Sequence, residues 1–371
     1  MSKNHWHYPR TEFTDRTFKL LVNGPVSALR MFGPRRTGKT WFLTNDLAPR
    51  FEMYGHRVVY ANFWQIVSSP LAVMLYSCDQ ALRKQTFAER LLQRVQPKVE
   101  LSGLGAKLEL DLTSEAEGTT PPDQLLWLDQ YLDRLADPKK PTLLMFDEFQ
   151  EIALASGSDA LMAALRTGLD TRQDGLVAVF TGSSEAGLNA LFSAENAPFF
   201  RYGQRWDLPM LDDDFVRHQL KAYTRSGGAD IPFDEARAVF EKYDNSPMYF
   251  RDWLTVRLAD PSLDAAAAQD AVEKAIEDSA GFRDTWLQIS GPQRATLRLV
   301  ADGVGQLFGE EAQTHLAGIG LTHRPTGDQI NAAIQGLNRK KHKSIVKWQN
   351  RWHVRDSFFA AWVRRRGPEE F

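Results

Sequence analysis

Gly33-Pro34-Arg35-Arg36-Thr37-Gly38-Lys39-Thr40 carries two glycines, a lysine and a threonine at the spacing G-x-x-x-x-G-K-[ST]. The glycines let the backbone curl until its N–H groups face a polyphosphate, an approach that a Cβ would obstruct. Lys39 has the reach to touch β- and γ-phosphates, and the Thr40 hydroxyl is a hard ligand for Mg²⁺. The flanks agree with this reading. Ala28-Leu29-Arg30-Met31-Phe32 reads as a buried strand, and Trp41-Phe42-Leu43 opens an apolar helical pattern. The positive end of that helix dipole would face the phosphates. Catalytic and binding candidates are therefore Gly33, Pro34, Arg35, Arg36, Thr37, Gly38, Lys39, Thr40 and Trp41.

A phosphate loop needs an acidic partner, and Pro141-Thr142-Leu143-Leu144-Met145-Phe146-Asp147-Glu148 supplies one. Its unbroken apolar run predicts a strand covered on both faces, as in a parallel sheet. Asp147 then emerges at the carboxyl end, where open α/β sheets bind their ligands. Thr40 and Asp147 are the expected Mg²⁺ holders, and Glu148 is placed to polarise a water. Further strands are expected at residues 57–63 and 176–184, the latter with a polar exit, and a fifth, edge strand at Trp206-Asp207-Leu208-Pro209-Met210. The polar exit of the fourth strand puts a Ser or Thr hydroxyl near the γ-phosphate, with Ser183 the choice there; a simple turn is the alternative.

The composition is that of an ordinary folded chain: 371 residues, 43% apolar, 25% charged and net charge −2. Length allows two or three domains. No apolar run approaches the ~20 residues of a membrane span, so no membrane partner is expected. The single cysteine, Cys78, fits a reducing, cytoplasmic setting. Charge is unevenly spread. Ten basic residues lie between Arg339 and Arg366 (Arg339, Lys340, Lys341, Lys343, Lys347, Arg351, Arg355, Arg364, Arg365, Arg366) against one acid, Asp356, leaving the remainder clearly acidic.

Between Ser69 and Asp123 the chain departs from a minimal nucleotide fold, with a helical pattern over 73–95 and an alternating stretch over 98–112 that reads as a hairpin. From Asp212 the sequence turns helical: Asp212 or Asp213 caps one segment and Gly227-Gly228 stops it. The Ala-rich run over 263–276 is a strong helix former. In the tail, Pro292 suits a first helical turn, Thr326-Gly327-Asp328-Gln329 is a capping box, and residues 344–348 and 351–354 read as two strands of a wing.

Several words occur together in one order: Phe32 to Thr40, Phe146-Asp147-Glu148-Phe149-Gln150-Glu151, Thr181-Gly182-Ser183-Ser184, Tyr202-Gly203, Asn245-Ser246-Pro247-Met248-Tyr249 and Trp352 to Val363. In these the chain resembles the archaeal-type P-loop ATPases of the AAA+ superfamily's signal-transduction (STAND) branch, which also occur in bacteria. The resemblance covers most of the chain. It implies an α/β fold: an AAA+-type core with a parallel five-stranded sheet over 1–210, interrupted at about 70–122. A helical lid and connecting helix over 211–280 and a C-terminal winged helix over 281–371 would follow.

ATP with Mg²⁺, and an ATPase acting as a molecular switch, follow from the same likeness. It also assigns Pro247 to the adenine and Arg251 to a lid sensor near the γ-phosphate; a solvated helix arginine is the alternative for Arg251. Relatives carry an arginine that acts in trans directly after the glycine of the Tyr-Gly word; here Gln204 stands there, flanked by Arg201 and Arg205, so either serves or neither does. Two readings of the basic tail stand side by side: contact with duplex DNA, and folding back onto the acidic remainder. Self-association or a protein partner is left open as well.

Overall fold

The computed structural model of the chain describes residues 3–33, 36–83, 122–155, 157–182, 185–193, 195, 197–322, 324–338, 344–348 and 351–371. The four apolar runs form strands of one sheet: β1 (Ala28–Phe32), β2 (Val58–Asn62), β3 (Thr142–Asp147) and β4 (Leu176–Thr181). Every residue of β3 and β4 is buried, as two-sided cover of central parallel strands requires. A short fifth strand, β5 (Gln204–Asp207), completes the parallel order β2-β3-β4-β1-β5. The sequence places this strand at Trp206–Met210. Its pairing instead ends with Asp207 opposite Phe32, where β1 itself stops, so Pro209 lies beyond the ladder.

Period-two alternation divides each strand between two apolar layers. Leu143, Met145, Val177 and Val179 join one layer with α1 (Thr11–Asn23) and the helix that follows the phosphate loop. Leu144, Phe146, Ala178 and Phe180 join the other. Phe180 lies at its centre, with ring centroids 4.8 Å from Phe149, 4.9 Å from Phe146 and 5.3 Å from Phe192. Truncating it removes a fully buried ring and leaves a cavity among aromatics. Phe180→Ala is expected to destabilise the protein by about 3–5 kcal/mol, read as a fall in denaturant midpoint at unchanged slope.

Helix α2 (Lys39–Phe42) starts on the loop lysine, widens into a π-turn at Leu43–Leu47 and continues as α3 (Ala48–Met53). Next, α4 (Pro70–Arg83) covers β2 and packs on α5 (Pro122–Leu135). The expected hairpin at 98–112 lies outside the described residues. Helices α6 (Ser158–Asp170) and α7 (Glu185–Ser193) flank β4 in sequence.

The rest of the chain is nearly all helical. Asp212 caps α8 (Asp213–Arg225) by accepting from the Asp214 N–H at 3.1 Å, and Arg225 ends it before Gly227. Then come α9 (Phe233–Lys242), α10 (Pro247–Ala259) and the Ala-rich α11 (Ala265–Ala280), capped by Asp264 on the Ala267 N–H at 2.8 Å. Helices α12 (Phe282–Gln288), α13 (Gly291–Ala301), α14 (Glu310–Gly318) and α15 (Gly327–Asn338) lead to an antiparallel ribbon of β6 (Ile345–Trp348) and β7 (Arg351–Val354), then α16 (Ser357–Arg364).

Both halves of the Thr326–Gln329 capping box form, at 2.9 and 3.4 Å. One apolar cluster runs unbroken from Phe215 in α8 to Val363 in α16. Strand β6 also lies against α7, so the ribbon touches the sheet region. Lys242 of α9 and Arg365 both pair with the buried Glu273 of α11. Arg339, Lys340, Lys341 and Lys343 lie outside the described residues.

Candidate functional site

Strand order places β4 between β1 and β3, so the loop after β1, Thr181 at the end of β4 and Asp147 at the end of β3 emerge on one edge. Gly38 takes the left-handed conformation (φ 91°) that only glycine holds without strain, and α2 begins at the next residue. Arg36 is also left-handed (φ 66°). A left-handed residue beside a right-handed one aims successive N–H groups into an anion-binding concavity. Lys39 is 7% exposed, and its ammonium donates to the Gly33 carbonyl at 2.7 Å. Pro34 and Arg35 lie outside the described residues.

Asp147 is 2% exposed and its carboxylate is held by three hydroxyls. Thr40 Oγ1 donates to Oδ2 at 2.7 Å, Tyr60 Oη donates to the same oxygen at 2.9 Å, and Thr181 Oγ1 donates to Oδ1. Burial, and then the charge of Asp147, push the Tyr60 phenol up, so it stays a donor at neutral pH. Thr40 and Asp147 thus bring a hydroxyl and a carboxylate oxygen together, a hard donor set that fits Mg²⁺. Glu148 follows in a left-handed conformation (φ 54°) and faces the cleft, with Gln150 Nε2 donating to its Oε2 at 2.5 Å. A non-glycine residue held there costs of order 1–3 kcal/mol, which neighbouring structure must sustain. Ser183 lies outside the described residues; the hydroxyl that the structure places beside Asp147 is Thr181.

Of these residues, Arg36, Gly38, Lys39, Thr40 and Glu148 line a cleft of about 500 Å³, and Asp147 meets it through the Thr40 hydroxyl. Tyr8, Trp41, Phe42, Leu211, Phe215, Pro247 and Met248 line the same cleft. Pro247 opens α10 after a turn in which Asp244 and Asn245 are both left-handed (φ 50° and 54°). Arg251 lines the same cleft, so it is not a solvated helix arginine: Nε donates to Gln219 Oε1 at 3.0 Å, a terminal nitrogen donates to the Trp6 carbonyl, and the guanidinium lies 5.5 Å from the Trp41 ring.

Neither Arg201 nor Arg205 lines this cleft. Arg201 is exposed on Phe200 at 5.0 Å, whereas Arg205 reaches both oxygens of Asp207, at 3.2 and 2.9 Å.

Sequence reasoning missed the segment before α1. Trp41 Nε1 donates to His7 Nδ1 at 2.8 Å, which puts the His7 proton on Nε2, facing Asp46 Oδ1 at 2.8 Å. Arg10 donates to the Thr37 carbonyl at 3.0 Å and to the Pro209 carbonyl. On the lid side, Gln219 Nε2 donates to the Trp6 carbonyl at 3.0 Å and His5 meets Ser226 Oγ at 3.0 Å. Residues 5–10 therefore strap the lid helices to the phosphate loop. The π-turn holds Asp46, one residue of a kind of bulge common at functional sites. Tyr60 and Thr181 did leave a signal, since each is a hydroxyl near the carboxyl end of a strand beside β3.

No protein-family model and no curated protein matches the sequence. Solved structures do match the fold. A Walker-type ATPase of Pyrococcus abyssi superposes with a TM-score of 0.64 at 16% identity, over 96% of this chain and 95% of that one. The ORC2 protein of Aeropyrum pernix matches in its ADPNP–ADP complexes with a TM-score of 0.55 at 14% identity, over 98% and 96%. Its ADP form gives 0.52 at 14% identity, over 95% and 93%. At such identities the likeness speaks for architecture alone. The chain has an α/β fold with a parallel five-stranded sheet, followed by a helical region that ends in a two-stranded ribbon and a last helix, and it shares this overall architecture with those structures.

Proposed function

We propose that the protein binds ATP with Mg²⁺ and hydrolyses its β–γ phosphoanhydride, using the nucleotide to set the position of the lid. The observation that carries this is convergence: Lys39, Thr40 and Glu148 line a single cleft together with aromatic and apolar side chains, and Asp147 accepts from the Thr40 hydroxyl. In this reading the loop backbone and Lys39 hold the phosphates, and Thr40 and Asp147 hold Mg²⁺. Bound Mg²⁺ neutralises charge on the β- and γ-phosphates. Tyr60 and Thr181 keep the Asp147 carboxylate oriented. Glu148 takes a proton from the attacking water, and Arg251, from the lid, faces the nucleotide. The base would rest against Pro247, Tyr8 and Trp41.

The test is Mg²⁺-dependent phosphate release from ATP, with GTP as competitor. Release that persists in excess chelator, or equal use of both nucleotides, would refute the assignment as written.

A second reading, contact with duplex DNA, is favoured by Lys347 and Arg351, both exposed on the β6–β7 ribbon. Phosphate contacts would make binding fall steeply with salt. The same hydrolysis assay run with and without duplex, beside a low-salt retardation assay, separates the two. Absence of retardation at low salt would dismiss the DNA reading. Among the described residues no helix is long and apolar enough to cross a membrane.

A further inference from the structure

Arg36 belongs to the phosphate loop, yet its guanidinium engages the C-terminal part of the chain. It pairs with Asp356 Oδ2 at 2.7 Å and lies 4.8 Å from the ring centroid of Tyr249. The Tyr249 hydroxyl closes the triangle by donating to Asp356 Oδ1 at 2.6 Å. Asp356 stands between β7 and α16, and Tyr249 is fully buried in the first turn of α10. Asp252, one turn further along α10, faces the same guanidinium: burial raises its pKa and Arg36 lowers it. The backbone of Arg36 is left-handed (φ 66°), a region an arginine adopts only when its surroundings impose it. A left-handed residue is one half of the backbone turn that aims N–H groups at an anion.

We infer that Asp356 and Tyr249 are positioning residues for nucleotide: by clamping the Arg36 side chain they hold the phosphate loop in its binding conformation. This rests on the ATP reading of the cleft. Asp356 touches no phosphate; it acts through Arg36. Linkage makes the effect reciprocal, so an occupied loop holds the C-terminal region more firmly against the core. A glycine at position 36 would need no clamp, because it enters the left-handed region unaided.

Four proteins test this: the unaltered chain, Asp356→Asn, Arg36→Gly and the double variant. Each is titrated with Mg·ATP and Mg·ADP by calorimetry, and each is melted without nucleotide. Asn keeps the shape of Asp356 and removes its charge. Asp356→Asn is expected to weaken both nucleotides about 5- to 10-fold, within the range of such backbone strain. In the Arg36→Gly background the same substitution is expected to change affinity by less than about twofold, because the clamped residue is gone.

An equal loss in both backgrounds would overturn the clamp, as would tighter binding by Asp356→Asn. The melts read the contact without nucleotide: Asp356→Asn should lower the midpoint more where Arg36 is present than in the Arg36→Gly background, and additive midpoints would overturn the clamp independently. Coupled midpoints in a chain that binds neither nucleotide would instead sink the ATP reading, and the clamp's role in it.

Discussion

Replacing Lys39 by alanine is expected to lower ATP affinity by at least about 100-fold while leaving the fold intact. Lys39 is almost wholly buried, and its ammonium donates to the Gly33 carbonyl of the loop itself. With nucleotide present, that donor is available to both terminal phosphates. Each hydrogen bond to a charged group is worth about 1.5–3 kcal/mol, so two make a loss of two orders of magnitude a lower bound. Removing the side chain also takes away a positive charge beside the phosphates. Little in the fold depends on it, so the unfolding midpoint without ligand should hardly move. Calorimetric titration with Mg·ATP checks the result. Affinity within about threefold of the unaltered chain would show that this cleft does not hold a triphosphate.

Glu148→Gln is expected to do the opposite: ATP still binds, and turnover falls by about 10²–10⁴, the range for loss of a general base. The substitution is nearly isosteric, and the strained backbone at this position persists because Asp147 and Phe149 are buried on either side. What changes is basicity. A carboxylate facing the cleft accepts a proton, whereas an amide does not. Single-turnover phosphate release, measured beside a binding isotherm on the same preparation, separates the two effects. Hydrolysis at the original rate would take Glu148 out of the chemistry and leave the cleft a binding site only.

Different parts of this molecule wrote themselves into the sequence with different clarity. Strands β3 and β4 were readable because central parallel strands are covered on both faces, leaving unbroken apolar runs with no competing pattern. The phosphate loop was readable because glycine and lysine are dictated by backbone approach and charge. Strand β5 was misplaced for an equally physical reason. Trp206, Leu208 and Met210 alternate like a strand, but strand length is set by the partner, and β1 ends at Phe32.

The strap had no local signature at all. Residues 5–10 have no periodicity, and their position follows from single hydrogen bonds to Asp46, Thr37 and Gln219, each far away along the chain. The Arg36–Asp356 pair was hidden in the same way. Of the tail's ten basic residues, Arg365 pairs with the buried Glu273, which composition alone did not reveal.

The strap has a mechanical consequence. One of its edges is fastened to Asp46, Trp41 and Thr37, and the other to Ser226, Gln219 and Arg251. A hinge motion of the helices above the sheet must unfasten one row or the other, like a zip with teeth on both flaps. Cargo fused ahead of residue 5 would pull on that seam, so the opening of the cleft and the load on the amino terminus become a single coordinate.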